Sequence, residues 1–507
     1  MAKNKKYALI PVMGLDPSKP AEYIDDRATP NCKNVSIDRY TIQKRLGTVQ
    51  LGESVSERIL AYRELYTDGA HNLIRVGLTS VYSMNYEEGT WGDDLAYTAL
   101  TADLLDRVDT ALPIEGGTRF LVFTNGVDNI RRWDGQGKPD EDLGGDPPKS
   151  KYIIDYETYL VLVNVIDEGT DYPMRVQWSD TGAPETWSGG NTGSKDLSED
   201  GQDTTGVSIF GNYLCIHKET CIYLGYLVNT SAIFRFERKN TGVGAVCFAT
   251  IQNLPNGEQA FLARDGIHLF NGISAPLIPS PIMDELRESV NAEYLYKCWS
   301  VVAEEMNEYW VGVPIGGQTE PETIYKYNYV TGACHKDERI GITAAGRFSA
   351  TSQLSWSDQV GTWQQATGRW DDVTITKLFK AIVLGSSAGV SSKRTDTPND
   401  ISTAIDSFWE SKDYQNEEIG RLCRWQKLQV WSKGNSVKVH YSIDSGSTWI
   451  TIDTLTLGAD YPSDNSPDYM YFDVVSTKIR FRFSNNVIDE QFNLKQFIPW
   501  YTDRELV

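Results

Sequence analysis

The sequence predicts an all-β protein: a β-propeller-like ring of antiparallel hairpins with an extended N-terminal arm and a C-terminal β-sandwich. Three observations lead there. The 507 residues carry 27 Tyr, 16 Phe, 14 Trp and 42 Gly, while helix-favouring runs are scarce, a balance suited to pleated, turn-rich structure. Paired β-rich runs recur through the middle of the chain at roughly the 40 to 50 residue period of propeller blades. Beyond residue 400 the pattern changes to short alternating strands between turns, the signature of a small sandwich.

Residues 1–60 hold few strand alternations and are broken by Pro11, Pro17, Pro20 and Pro30, so they are expected to run as an extended arm. Residues 61–400 are expected to form the propeller-like domain, with six to eight blades. Seven hairpin units stand out, beginning at Leu73, Phe120, Tyr159, Tyr213, Ala260, Tyr309 and Phe379. Each opens with a run such as Tyr159-Leu-Val-Leu-Val-Asn164 and turns into a second, here Arg175-Val-Gln-Trp178. A blade buries its faces only against its neighbours, so such a series must close into a ring to become stable. Trp-Asp occurs only at 133–134 and 370–371 and has no Gly-His companion, which disfavours the WD40 class.

Two stretches interrupt the hairpins. Ser280 to Val290 places Ile282, Leu286 and Val290 at i, i+4 and i+8, a helical stripe. Near 356–372, Trp356, Trp363 and Trp370 recur every seven residues, but Gly361 and Gly368 fall between them. Each glycine costs a helix about 1 kcal/mol, so this insertion is expected to be a protruding loop that offers its tryptophans as subunit or ligand contacts. Residues 401–507 are expected to form the sandwich, with strands at Trp425 to Trp431, Val437 to Tyr441, Tyr469 to Val474 and Lys478 to Phe483.

A formal net charge of −21 argues against a reader of nucleic acid, which gains affinity by placing Lys and Arg on phosphates; it suits a conduit that passes a polyanion without holding it. The seven cysteines, at 32, 215, 221, 247, 298, 334 and 423, show no C-x-x-C spacing, so neither a disulfide framework nor a zinc site is expected. Strand alternation puts Cys215 and His217 on one face, without an evident fourth ligand. No segment approaches the ~18 apolar residues of a membrane helix, and the apolar run after Lys5-Lys6 is too short for a signal peptide. No membrane association and no cofactor are expected.

The most specific local motif is Ser442-Ile-Asp-Ser-Gly-Ser-Thr-Trp449, an Asp-box of the kind found in sialidases. In a hairpin, Asp444 accepts N–H groups across the turn, Gly446 takes positive φ, and Ser442, Thr448 and Trp449 close the loop. All of these roles are structural, and the box lies in the sandwich instead of on a blade. The nearest match to a sialidase F/Y-R-I-P, Phe234-Arg-Phe-Glu237, lacks the proline. An imperfect relative of the box spans Trp178 to Trp187. Gly385-Ser-Ser-Ala-Gly389 matches G-x-S-x-G, but a nucleophile elbow must open a helix, and a polar loop ending at Pro398 follows Ser387. Glu199-Asp-Gly-Gln-Asp203 lacks the alternating ligands of a calcium loop. No catalytic or metal-binding set emerges, and the chain is not expected to be an enzyme.

Met13-Gly-Leu-Asp, then Ala28-Thr-Pro-Asn-Cys-Lys-Asn-Val35, then Gln43-Lys-Arg-Leu-Gly47 resembles the start of virion proteins of tailed phages, in which P-N-x-x-N-V precedes K-R-x-G. Ile130 to Gly135, Val176 to Asp180 with Trp187, Gly266 to Gly272 and the C-terminal Asp-box are similar in order and spacing. The group resembled is that of the tail-tube nozzle, or packaged-DNA stabilisation, proteins of short-tailed phages. The resemblance implies a homohexameric ring in the virion tail, head-to-tail adaptor or portal-proximal neighbours, docked tail fibres or tailspikes, and DNA passing through the lumen without sequence-specific binding. A carbohydrate-binding tail adaptor or host-attachment protein is the alternative, with a sialidase-like glycoside hydrolase behind it.

Overall fold

In the computed structural model the described residues are 5–6, 13–38, 41–67, 70–85, 89–103, 107–136, 140–228, 232–239, 241–349, 380–416, 420–463 and 466–503. The tryptophans Trp356, Trp363 and Trp370, with the insertion near 356–372, lie outside them.

Among the described residues seven antiparallel sheets follow one another along the chain. The first pairs Ile59–Thr67, Ala70–Gly77, Val81–Asn85 and Thr90–Asp94 in order. The second is built on Asp109–Ala111 and Leu121–Thr124, the third on Lys149–Tyr156 and Tyr159–Asp167, and the fourth on Thr204–Phe210 and Tyr213–Lys218. The fifth is three-stranded around Gln259–Ala263, the sixth starts with Trp299–Ala303 and Glu308–Val313, and the seventh with Ile342–Phe348 and Ala381–Ser386.

The third sheet shows why these sequences stack as blades. Leu160, Leu162 and Val165 of its second strand pack against Val122 and Ile130 of the second sheet, while Val161 and Val163 pack against Leu214, Ile216 and Tyr223 of the fourth. The whole run is apolar because each face meets a different neighbour. A bulge at Asn164, with φ 60°, resets the alternation so that Val165 rejoins the side of Leu162. Equivalent cores lie between every successive pair of sheets, and the last closes the ring: Ile59, Tyr62 and Leu73 of the first sheet pack with Ala344, Phe348 and Val383 of the seventh. The result is a closed, seven-bladed propeller-like ring. The first strands of the blades lie against one another and face the axis.

The arm supplies strands to its own chain. Thr48–Gln50 is the fourth strand of blade 7, paired with Ser391–Arg394, so the N-terminal segment fastens the ring. Gly14–Leu15 and Ala28–Thr29 extend blade 6. Cys32–Lys33, Val35–Asp38 and Thr41–Lys44 join the two sheets of the C-terminal unit. Those sheets are a sandwich: Cys423–Gly434, Asp468–Ser476 and Phe492–Asp503 on one side, Ser407–Glu410, Ser436–Ser442, Ile450–Thr456 and Lys478–Asn485 on the other. Phe497 of the first sheet lies 5.9 Å from Trp409 and 5.0 Å from Phe483 of the second, ring centre to ring centre. One continuous core runs from blades 5 and 6 through Leu15, Cys32, Val35 and Ile42 of the arm into the sandwich.

The helical stripe forms the α-helix Ile282–Ser289, with Ile282 and Leu286 buried, Asp284 and Glu285 in its first turn and Arg287 in its last, charges that complement the helix dipole.

Candidate functional site

The Asp-box closes the hairpin between Ser436–Ser442 and Ile450–Thr456. The buried Ser442 hydroxyl donates to Asp444 Oδ1 at 2.6 Å and accepts the Gly446 N–H at 2.8 Å. Asp444 also accepts the Thr448 N–H at 2.9 Å and the Thr448 hydroxyl at 2.6 Å. Bonds from Ser442 and Thr448 hold its carboxyl well below the usual range. Ser445 (φ 59°) and Gly446 (φ 89°) are left-handed, and Trp449 lies under the Arg482 guanidinium, 4.1 Å from the ring centre. Each of these bonds fastens the turn to itself, and Asp444 is exposed. The relative at Ser179-Asp180 works the same way: Asp180 Oδ1 accepts the N–H groups of Thr181 and Asn191 at 2.8 and 2.9 Å.

Ser387 sits in the tight turn joining Ala381–Ser386 to Ser391–Arg394, its N–H bonded to the Gly341 carbonyl at 2.7 Å, with no helix following. His440, the one histidine downstream of it, bonds Ser484 and Thr451 in the sandwich. Cys215 and His217 do share a face, 3.4 Å apart, and the imidazole meets Gln259 at 2.9 Å. Burial pushes the Cys215 thiol up to about 12 and the His217 imidazole down to about 4. Cys221 belongs elsewhere: with Tyr223 it donates to Asp200, the second residue of the calcium-like stretch, which is ion-paired with Lys218. Among the described residues no group of three His, Cys, Asp or Glu side chains could hold a metal ion, and no helix is long and apolar enough to cross a membrane.

Two constellations escaped the sequence motifs. The first is the junction of arm, ring and sandwich. Arg45 is 2% exposed; its Nε donates to Asn34 Oδ1 at 3.0 Å and its Nη1 to Asp400 Oδ1 at 2.9 Å, with Asp337 of blade 6 at 3.5 Å. Asp400 also accepts the Thr48 hydroxyl at 3.2 Å and Arg339 at 3.4 Å. Burial raises the Asp400 carboxyl, but Arg339, Arg45 and Thr48 outweigh it and hold it down at about 2. Asn34, itself left-handed, accepts the Glu338 N–H at 3.0 Å and donates to the Asp406 carbonyl at 2.8 Å. Lys44 is buried and donates to Asn485 Oδ1 at 2.9 Å and to the carbonyls of Val487 and Glu490 at 3.1 and 3.0 Å; burial takes its ammonium down to about 8. At Gly47 a Cβ would stand 1.8 Å from the Asn399 carbonyl oxygen, which only glycine permits.

The second is a cavity of about 740 Å³ lined by residues of blades 2 to 6, a combination that only the ring axis brings together. Arg107 and Lys151 enter its wall near the starts of two inner strands, Asp171 from the beginning of the strand Thr170–Trp178, Asp203 from the entry to blade 4 and Phe248 from blade 5. Arg107 Nε donates to the Tyr296 carbonyl at 3.1 Å. Tyr152 and Phe248 pack at 5.2 Å between ring centres.

Fold and sites together define an all-β propeller-and-sandwich protein. No family model and no curated protein matches the chain. Among solved structures it is similar to BamB from Moraxella catarrhalis, with 10% identity and a TM-score of 0.34 over 69% of this chain and 97% of that one.

Proposed function

We propose that this chain is a structural virion protein of the tail-nozzle kind: a subunit that assembles as a homohexameric ring in the tail of a phage particle, made in the host cytoplasm. Its central channel retains the packaged genome and passes it at ejection. Head-to-tail adaptor or portal-proximal proteins lie on one side, and fibres or tailspikes dock outside.

One coincidence carries the reading. The arm residues that resemble phage virion proteins, Asn34 and Lys44 to Gly47, are committed to the buried junction that joins arm, ring and sandwich. A part that bears the load of packaged DNA needs its domains joined without a hinge, and a polar network satisfied from three directions supplies that rigidity. The net charge of −21 adds that a lumen built from such subunits does not grip DNA.

Negative-stain imaging and mass photometry of the purified full-length chain, over a range of protein and salt concentrations, test the proposal. A sixfold annulus with an open channel is expected; a compact monomer under every condition would overturn it.

A further inference from the structure

The axial cavity has the volume of a small-molecule site, which runs from roughly 300 to 1,000 Å³, and several charged side chains in its wall have no partner among the described residues. Several buried cations elsewhere are matched by carboxylates, Arg45 with Asp400, Arg58 with Glu320, Lys218 with Asp200 and Lys326 with Asp337, while Lys44 and Arg75 meet neutral oxygens. In the cavity wall neither terminal nitrogen of Arg107 has a hydrogen-bond partner among the described residues; Nη2 is shut off from the cavity, which leaves Nη1 to meet a ligand. Lys151, Asp171 and Asp203 form no side-chain hydrogen bond or ion pair among the described residues either. Asn164, held left-handed in the strand bulge, donates its amide to the Thr204 carbonyl at 3.2 Å and leaves its side-chain oxygen to the cavity. A guanidinium placed in an enclosed wall without a counterion is costly, and an anionic ligand offsets that cost.

The remaining chemistry narrows the ligand. The rings of Tyr152 and Phe248 offer apolar faces beside these groups, and three acceptors, Asn164, Asp171 and Asp203, call for several hydroxyl donors. A polyphosphate or a nucleic-acid strand would meet both carboxylates at close range, whereas a ligand with one acidic group, several hydroxyls and a C–H face suits all of them. We infer that the axial cavity binds an acidic saccharide unit, its carboxylate on Arg107 and Lys151, its hydroxyls on Asn164, Asp171 and Asp203, and its ring face against Tyr152 and Phe248. The site stands on the geometry of one subunit and does not depend on ring assembly.

Isothermal titration of the full-length chain with D-glucuronate, D-glucose and inorganic phosphate tests it. Glucuronate is expected to bind saturably at millimolar concentration or below, with glucose and phosphate each at least about tenfold weaker. Lys151→Ala and Arg107→Gln should each weaken glucuronate by about tenfold or more, the order expected for losing a charge-assisted hydrogen bond. Lys151 is exposed, so Lys151→Ala decides the matter even where Arg107→Gln fails to fold. Absence of saturable glucuronate binding, glucuronate affinity unchanged in Lys151→Ala, or glucose binding equally well would overturn the inference. Phosphate binding as tightly as glucuronate would overturn it too, as the mark of a bare anion site.

Discussion

Replacing Asp400 by Asn tests whether the junction is a buried ionic lock. The side chain is 30% exposed, and its carboxyl is held at about 2 against an ordinary 3.8. A difference of that size between folded and unfolded chains corresponds to about 2 kcal/mol of stability at neutral pH. Because the folded value is the lower one, the contribution is complete above about pH 4 and is lost as the pH falls towards 2. Asp400→Asn should therefore lower the unfolding free energy by about 2 to 4 kcal/mol at pH 7, the upper end set by leaving Arg45 in the interior with Asp337 as its remaining carboxylate. Urea unfolding followed by tryptophan fluorescence measures the difference, and hydrogen exchange at residues 45–48 localises it. Salt adds a second criterion, since ~1 M NaCl shortens the screening length to about 3 Å yet screens buried pairs far less than exposed ones. A difference below about 0.5 kcal/mol at pH 7, or one that ~1 M NaCl abolishes, would refute the lock.

His217→Gln should flatten part of the acid limb of stability. The buried imidazole is neutral in the folded chain, with burial taking it from 6.5 to about 4. Its contribution is complete above about pH 6.5 and declines by about 3 kcal/mol as the pH falls to 4; unfolding free energies measured across that window should show a shallower slope in the variant, and an identical slope would count against the assignment. Asp444→Ala should speed amide exchange at Gly446 and Thr448, whose N–H groups depend on the Ser442–Asp444–Thr448 network, while the ring melts as before. Unchanged exchange at both amides would show that the turn holds without its carboxylate.

The fold was legible where a local pattern decides the structure. The runs beginning at Leu73, Phe120, Tyr159, Tyr213, Ala260 and Tyr309 all lie in or lead into second strands of blades, because a strand sandwiched between two neighbouring blades must be apolar on both faces and so announces itself as a short unbroken run. The helix at Ile282–Ser289 declared itself through a stripe at helical spacing with one face on blade 5. The arm was legible only as a lack of alternation. Its strands are two to four residues long, and apart from the hairpin of Val35–Asp38 with Thr41–Lys44 and the pairing of Gly14–Leu15 with Ala28–Thr29 they take their partners from sheets hundreds of positions away, so little in their neighbourhood could reveal the pairing.

The sites divide along the same line. The Asp-box could be read because all its bonds close within four residues of one another. The junction could not, since Arg45 and Asp400 are separated by 355 positions and Asp400 lies in what looks like an ordinary polar loop. One trace was visible: Lys44 and Arg45 form a basic pair, followed two residues later by a glycine, in a stretch with no helix to explain it. Here the charge pair stands beside a glycine at which backbones cross, and the cations turn inward to satisfy carbonyls and a carboxylate of the crossing segments. Asn34, Lys44, Arg45 and Gly47 thus fasten blade 6, the 399–406 linker and the sandwich at once, while the arm's short strands close blade 7 and carry Leu15, Cys32, Val35 and Ile42 into the shared core.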